Sequence, residues 1–244
     1  EDVQLTVKNP GYGVVASGNN TDNSITLKNS TITVPSTGVG IYFPPKSGTL
    51  TIENSNVTGG TAVIVKGGTA NISGDSVIHA TGAKVVPTAP KGSGANDTGD
   101  AVYLEGNYDR KTTINITGGT FTSDNGYAVQ MLFADNADDK TISISGGSFS
   151  SDPSAYVTKD YVTLIENGQY VVKDKGEIEV AVVPAAPSVP EPDTTGMEED
   201  EAEMARNVQT ALTGNNPISA NGLDAVANTV AADTEEKPAD YVED

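Results

Sequence analysis

Two families of short segments alternate along residues 1–151, and this internal repeat is the feature that most constrains the fold. First-family segments follow the pattern Gly-x-(Gly/Ala)-(Val/Ile)-x-apolar and begin at Gly11, Gly38, Gly60, Gly99 and Gly126. Second-family segments read apolar-x-apolar, then two turn-type residues and a further apolar residue, and begin at Ile25, Leu50, Ala70, Ile114 and Ile142. Such short segments cannot bury an apolar face alone, so successive repeats are expected to stack as a solenoid.

Stacking predicts which residues form the core. Period-2 alternation places Val102 and Leu104 on one face of a strand and Tyr103 on the other. Equivalent inward residues of successive repeats then form columns of parallel-paired strands. The predicted columns are Val14, Ile41, Val63, Val102 and Val129; Ala16, Phe43, Val65, Leu104 and Met131; and Leu27, Ile52, Ile72, Ile116 and Ile144.

The bends between strands have their own signature. The third position of the first family is always Gly or Ala, which indicates close packing against the next repeat. The second family has pairs that tolerate a left-handed backbone. These pairs are Asn29-Ser30, Asn54-Ser55, Gly74-Asp75, Gly118-Gly119 and Gly146-Gly147.

One interval of the repeat is long. The fourth positions of the first family lie 22 or 27 residues apart, except that Val63 and Val102 are separated by 39 residues. This interval contains residues 86–99, VPTAPKGSGANDTG, whose composition predicts a surface loop.

After the repeats, residues 152–183 are predicted to form a β cap over the open end of the stack, because an uncovered end would expose strand edges. Asn167-Gly168 lies between two apolar runs and predicts a type I′ hairpin. Residues 184–197 are predicted to form a Pro/Ala-rich linker, and residues 198–244 are predicted to form an acidic, partly helical tail. The predicted domains are thus repeats at 1–151, cap, linker and tail.

The net charge of −19 argues against nucleic acid and anionic membranes as partners. The chain has no Cys, which excludes thiol catalysis and a disulfide scaffold. No apolar run approaches the roughly 18 residues of a membrane span. The chain begins at Glu1 rather than Met, and we expect it to be part of a longer, processed chain.

The segments GGTFTS and GGSFSS, followed by SDPSAYVTKDYVTLIENGQYVV at residues 151–172, resemble a known family. They look like extracellular, pectin-lyase-like repeat proteins of the surface-adhesin type from gut-type Gram-positive bacteria. The resemblance covers roughly residues 1–172. It implies an all-β, right-handed, single-stranded parallel β-helix and an extracellular or cell-surface location. The alternative fold, a sandwich of short antiparallel strands, fits the uniform repeat register less well.

Catalysis is not predicted, although folds of this family host polysaccharide lyases and glycoside hydrolases. Glycosidases need two carboxylates across a cleft, and no paired-acid motif recurs at a strand position. Lyases of this fold need a basic residue beside carboxylate-bound calcium. Arg110 lies in a predicted loop, and His79 has apolar neighbours that favour a structural role. The chain is predicted not to be an enzyme, and a lyase or hydrolase is the disfavoured alternative.

Calcium is the one candidate ion, and no other cofactor is predicted. Asp135, Asp138 and Asp139 cluster in a loop between two strands, and clustered carboxylates suit calcium. The segment lacks the Gly and terminal Glu of an EF-hand, so a solvated loop is the alternative interpretation.

Tyrosines supply the candidate ligand site. Tyr42 and Tyr103 occupy the outward fifth position of the first family, Tyr12 and Tyr127 the second, and Tyr108 lies nearby. Aromatic rings on one ridge can stack on sugar rings. The alternative is that they pack against each other or under the 86–99 loop. The predicted function is a non-catalytic interaction module that binds glycan or another cell-surface component, and the alternative is a structural spacer.

Overall fold

The computed structural model of the chain describes residues 1–92, 94, 96–134, 137–178 and 193–203. The chain divides into two compact units, residues 1–179 and 180–244. In the second unit, residues 195–196 form a turn and residues 199–203 are helical. The predicted linker up to residue 192 and the predicted tail from residue 204 lie outside the described residues.

The alternating apolar and polar residues of the first unit form short strands. In chain order these are β1 Gln4–Thr6, β2 Tyr12–Val15, β3 Asn23–Lys28, β4 Thr31–Thr33, β5 Val39–Phe43, β6 Gly48–Glu53, β7 Asn56–Gly59, β8 Thr61–Val65, β9 Gly68–Ser73, β10 Val77–Ala80, β11 Val102–Glu105, β12 Thr112–Ile116, β13 Thr120–Ser123, β14 Val129–Leu132, β15 Lys140–Ile144, β16 Gly147–Phe149, β17 Tyr161–Glu166 and β18 Gln169–Asp174. Short 3₁₀ helices span Ala137–Asp139, Ser154–Tyr156 and Lys175–Glu177.

From β1 to β16, every third strand joins the same sheet. The first sheet has the order β1-β4-β7-β10-β13-β16-β18-β17, the second β2-β5-β8-β11-β14 and the third β3-β6-β9-β12-β15. Neighbouring strands from β1 to β16 pair in parallel, and the hairpin β17–β18 adds antiparallel pairs. The fold is therefore all-β with three largely parallel sheets, and the alternative of a purely antiparallel sandwich is wrong.

The predicted core columns are confirmed. Ile41 pairs with Val14 on one side and Val63 on the other. Ile72 likewise lies in register between Ile52 and Ile116. Residues from all three sheets meet in one hydrophobic core, whose central members are fully buried. Parallel pairing without offset brings identical positions together, so one apolar pattern fills the whole core.

The bends also follow the prediction. Asn29 and Asn54 have φ of 48°, and Gly74 has φ of 64°. A side chain at Gly40 would place its Cβ 2.5 Å from the Ala62 carbonyl oxygen, which explains the requirement for a small residue. A serine follows the left-handed position in two repeats, and the Ser30 amide donates to the Ser55 hydroxyl at 3.0 Å. This buried hydrogen bond joins successive repeats through a side chain, in addition to the backbone pairing.

The end of the stack carries the predicted hairpin. Asn167 and Gly168 have φ of 51° and 77°, as a type I′ turn requires. Strand β18 pairs antiparallel with β16 and so covers the edge of the first sheet. Tyr161 and Tyr170 pack against the core from this hairpin.

Within the described residues, helices are all too short or too polar to cross a lipid bilayer.

Candidate functional site

The outer face of the second sheet carries an apolar cluster that lies beneath the described part of the 86–99 loop. Val39, Tyr42, Ile64 and Tyr103 form this cluster, with Leu132 packed against it. Tyr103 is fully buried and Tyr42 is 6% exposed. Both face away from the core, as their strand positions predict, but in this conformation neither is open to a ligand. Packing under the loop, the alternative interpretation of these two residues, is the arrangement found.

Burial changes the chemistry of these two hydroxyls. The Tyr42 hydroxyl donates to the Gly94 carbonyl oxygen at 2.7 Å. The Tyr103 hydroxyl lies near Asn96 and Glu105 but forms no hydrogen bond of normal geometry. Burial raises the pKa of both tyrosines well above the ordinary value because the phenolate would lose its hydration.

A buried ion pair fastens the loop to the sheet. Lys66, which follows β8, and Glu105, which ends β11, meet at 2.8 Å with side chains that are 0% exposed. Lys66 Nζ also donates to the carbonyl oxygens of Lys91 and Gly94, at 2.6 and 3.1 Å. The Lys66 ammonium thus bonds to the sheet and to the loop at once.

The Glu105 carboxylate also binds the loop directly. One carboxylate oxygen accepts from the Lys91 amide at 2.9 Å, and the other accepts from the amide and side chain of Asn96 at 3.2 and 3.1 Å. Desolvation lowers the pKa of Lys66, and the Glu105 carboxylate opposes that shift. We call Lys66, Glu105 and Asn96 the loop clamp.

Tyr108 lies beside the clamp. The Lys66 ammonium and the Arg110 guanidinium each lie 4.4 Å from the centre of its ring. The Tyr108 hydroxyl donates to the Gly92 carbonyl, and Arg110 donates to the Pro44 carbonyl. Tyr108 and Arg110 therefore hold the loop and its neighbouring turn. Arg110 lies between strands, as predicted.

The other two predicted tyrosines are exposed and lie at opposite edges of the second sheet. Tyr12, on β2, is 41% exposed, and its ring centre is 5.4 Å from that of Tyr42. Tyr127, just before β14, is 49% exposed. Four strand spacings of about 4.8 Å separate these edges by about 19 Å. The structure thus leaves two separate aromatic surfaces in place of a continuous ridge.

Polar groups converge beside Tyr127. The Lys84 ammonium lies 4.3 Å from the centre of the Tyr127 ring. It donates to Asp100 Oδ1 at 2.7 Å and to Gln130 Oε1 at 3.0 Å. Asp100 Oδ1 also accepts from the Tyr127 amide at 2.7 Å, which fixes the backbone below the ring. We call Lys84, Asp100, Tyr127 and Gln130 the Tyr127 cluster.

The Tyr127 cluster combines a buried carboxylate with partly exposed side chains. Asp100 is fully buried, and its Oδ2 has no hydrogen-bond partner among the described residues. Lys84 keeps a 22% exposed side chain. An exposed ring beside an ammonium and an amide is the combination with which proteins stack on and hydrogen-bond small polar rings.

Two of the three aspartates predicted to bind calcium lie among the described residues. Asp138 and Asp139 are exposed in the 3₁₀ helix between β14 and β15, and Asp135 lies outside the described residues. Among described residues, no group of three or more His, Asp or Glu side chains is arranged to hold a metal ion. Calcium binding stays a prediction.

His79 has a partner that the sequence did not reveal. It lies on β10, and its Nε2 is 2.8 Å from Asp124 Oδ1, with side chains 35% and 54% exposed. The pair joins adjacent strands of the first sheet, which is consistent with the structural role predicted for His79.

Sequence reasoning missed the loop clamp and most of the Tyr127 cluster. One signal was present: Lys66 and Glu105 occupy the seventh position of adjacent first-family repeats, where opposite charges meet across a parallel pair. Asp100 occupies the second position of its first-family segment, but Lys84 lies outside the repeat pattern, so their contact had no comparable signal. No protein-family model matches the chain, and no curated protein or solved structure matches it significantly.

Proposed function

We propose that the chain is a right-handed, single-stranded parallel β-helix that serves as a non-catalytic, extracellular or cell-surface module for binding glycan. The recurrence of strands in threes and their in-register parallel pairing support the β-helix. Right-handed connections are the rule between parallel strands of one sheet, which favours this hand. The resemblance to pectin-lyase-like surface adhesins supports the location.

The Tyr127 cluster is the observation that carries the glycan proposal. A sugar ring has apolar C–H faces and a rim of hydroxyls. Tyr127 is 49% exposed and offers a stacking surface, while Lys84, whose ammonium lies over the ring, donates and Gln130 accepts beside it. Because Asp100 already fixes Lys84 and the Tyr127 amide, these groups are preorganised, which reduces the entropy cost of binding.

The ligand class follows from charge. The net charge of −19 disfavours acidic polysaccharides unless a cation bridges them. A neutral glycan avoids this repulsion.

A structural spacer is the second candidate, and the loop clamp favours it. A spacer needs a rigid stack, and the buried Lys66–Glu105 pair fixes the longest loop of the described repeats to the sheet. The two functions differ in one property, because a spacer binds no glycan.

A glycan array, probed with and without millimolar calcium, tests the proposal. The wild-type chain is expected to bind neutral glycans saturably, and Tyr127→Ala is expected to weaken this binding about tenfold, the loss of about 1.4 kcal/mol. Tyr127→Phe keeps the ring and should bind within about twofold of wild type. Ile165→Ala, at a 71% exposed position in the hairpin, is the control for a general loss of exposed apolar surface.

Two results would contradict the proposal. Absence of saturable binding across the array favours the spacer. Equal binding by wild type and Tyr127→Ala would remove the Tyr127 cluster as the binding site.

A further inference from the structure

The outer face of the third sheet carries a second, independent surface. Each of its five strands directs apolar residues into the core and polar residues to solvent. Two successive outward positions on every strand are Ser, Thr or Asn, and none of these residues is buried. They are Ser24, Thr26, Thr49, Thr51, Thr69, Asn71, Thr113, Asn115, Thr141 and Ser143. We call these ten residues the hydroxyl ladder.

The ladder is in register across all five strands. Its first column runs through directly paired residues, for example Thr49 with Thr69 and Thr69 with Thr113. Its second column is paired in the same way, for example Thr51 with Asn71 and Asn71 with Asn115. Strands about 4.8 Å apart and alternate residues about 6.6 Å apart arrange these groups in a regular grid.

The charge on this face contrasts with that of the chain. All ten ladder side chains are uncharged, in a chain of net charge −19. At the next outward position, Lys28 and Glu53 form an ion pair of 2.9 Å on the first two strands, so their charges cancel. The remaining strands have Ser73, Thr117 and Ser145 at this point.

The ladder is also rigid and open. Every second residue of its strands anchors it to the core, and Asn115 Nδ2 donates to Asn71 Oδ1 at 2.9 Å. Ladder residues remain partly or fully exposed, in contrast to Tyr42 and Tyr103 under the loop on the second sheet. A grid of short, stiff side chains loses little entropy on binding.

We propose that the hydroxyl ladder binds an extended, neutral polysaccharide that lies across the strands, along the direction in which the repeats stack. Hydroxyl and amide groups both donate and accept hydrogen bonds, as sugar hydroxyls do. The uncharged grid complements an uncharged polymer with a regular repeat, whereas an acidic polymer is repelled by the rest of the chain. This site lies on a different sheet from the Tyr127 cluster, so it extends the proposed function to long ligands.

The test uses the whole chain and two matched pairs of substitutions. Thr49→Lys/Thr113→Lys places two long charged side chains on the ladder, on strands separated by one other strand. Thr58→Lys/Thr122→Lys makes the same changes with the same strand separation on the outer face of the first sheet. Thr49→Val/Thr113→Val removes only the hydroxyls, keeps the shape and suits a strand. Circular dichroism and thermal unfolding check that each variant folds.

Binding is measured by affinity electrophoresis in gels containing a soluble neutral β-glucan or polygalacturonate. Depletion of the protein from solution by microcrystalline cellulose tests whether it binds an insoluble neutral glucan as well as a soluble one. The wild type is expected to bind the neutral polymers and not polygalacturonate. The ladder Lys variant should lose at least tenfold in affinity and the Val variant severalfold, while the first-sheet variant stays within about twofold.

Each contrary result has a distinct meaning. Unchanged binding by a folded ladder variant would overturn the proposal that the ladder binds polysaccharide. The proposed glycan function would still stand if Tyr127→Ala reduces binding on the array. Equal losses of affinity in both Lys variants would show that added charge alone weakens binding, and would overturn the proposed ladder site. Failure to bind any neutral polymer also overturns it, and the array result then decides the glycan function separately.

Discussion

Replacing Lys66 with Met leaves Glu105 as an unpaired carboxylate that is fully buried between the second sheet and the loop. Both side chains are 0% exposed, and Lys66 is the cation paired with Glu105. Removing one partner of a buried pair costs about 3–5 kcal/mol, because the remaining charge is neither hydrated nor compensated. Glu105 keeps its hydrogen bonds from Lys91 and Asn96, which moderates the cost. We expect Lys66→Met to lower the free energy of unfolding by about 3 kcal/mol.

The double variant Lys66→Met/Glu105→Leu distinguishes two effects: the cost of an unpaired buried charge, and the loss of the side chains that hold the loop. It removes both charges and adds apolar side chains beside the cluster of Val39, Ile64 and Tyr103. The double variant should therefore recover about 2 kcal/mol or more of the loss in the single variant, since buried pairs are replaceable by apolar groups. The loop, however, loses its bonds to both clamp side chains and should open more readily.

Two measurements on the same samples test both expectations. Urea unfolding reports the global free energy, and hydrogen exchange at the Lys91 and Asn96 amides reports loop opening. We expect exchange to be fastest in the double variant even though it is globally more stable than Lys66→Met. A cost below about 1 kcal/mol for Lys66→Met would show that the pair is solvated and would refute the buried clamp.

Further predictions concern packing, pH and calcium. Gly40→Ala should destabilise the chain by about 1–3 kcal/mol, because its Cβ would meet the Ala62 carbonyl at 2.5 Å, while Gly92→Ala in open space changes stability little in the same urea assay. Burial raises the pKa of Tyr103 above that of a tyrosine in the unfolded chain, so the unfolded chain loses this proton at lower pH. The contribution of Tyr103 to the free energy of unfolding should therefore be fully present below about pH 10 and be lost above it. Tyr103→Phe removes a hydroxyl without a normal hydrogen bond, so it should weaken this pH dependence and raise stability by about 1 kcal/mol; lower stability would contradict this. Calcium titration by calorimetry should give binding that Asp138→Asn/Asp139→Asn abolishes, and no heat in the wild type would refute the calcium prediction.

Local pattern predicted most of the fold because the same physical requirement recurs in every repeat. Val14, Ile41 and Val63 share one position, and only in-register parallel pairing buries them together. Asn167-Gly168 specified its hairpin through backbone preference alone. Strand β1 lies outside the segments that carry the repeat pattern, so the pattern did not predict its pairing with β4.

The candidate site was harder to predict because it depends on an insertion that folds back. Tyr42 and Tyr103 have the correct outward direction, but their burial depends on where the 86–99 loop lies. No periodic signal encodes that position. Lys84 and Asp100 approach each other across the loop, and this contact arises from tertiary structure alone. Tyr127, Gln130 and Asp100 occupy positions of the repeat, whereas Lys84 lies outside it, so the repeat pattern carries no signal for its contacts.

Both proposed binding surfaces exist only if the repeats stack in register, and one distance tests this most directly. The chain has no cysteine, so Ser24→Cys/Thr141→Cys can carry two spin labels at the ends of the hydroxyl ladder. Four strand spacings separate these residues, which predicts a narrow distance distribution centred at about 20 Å by double electron–electron resonance. A broad distribution, or one centred beyond about 30 Å, would contradict the stacked repeats and with them both surfaces.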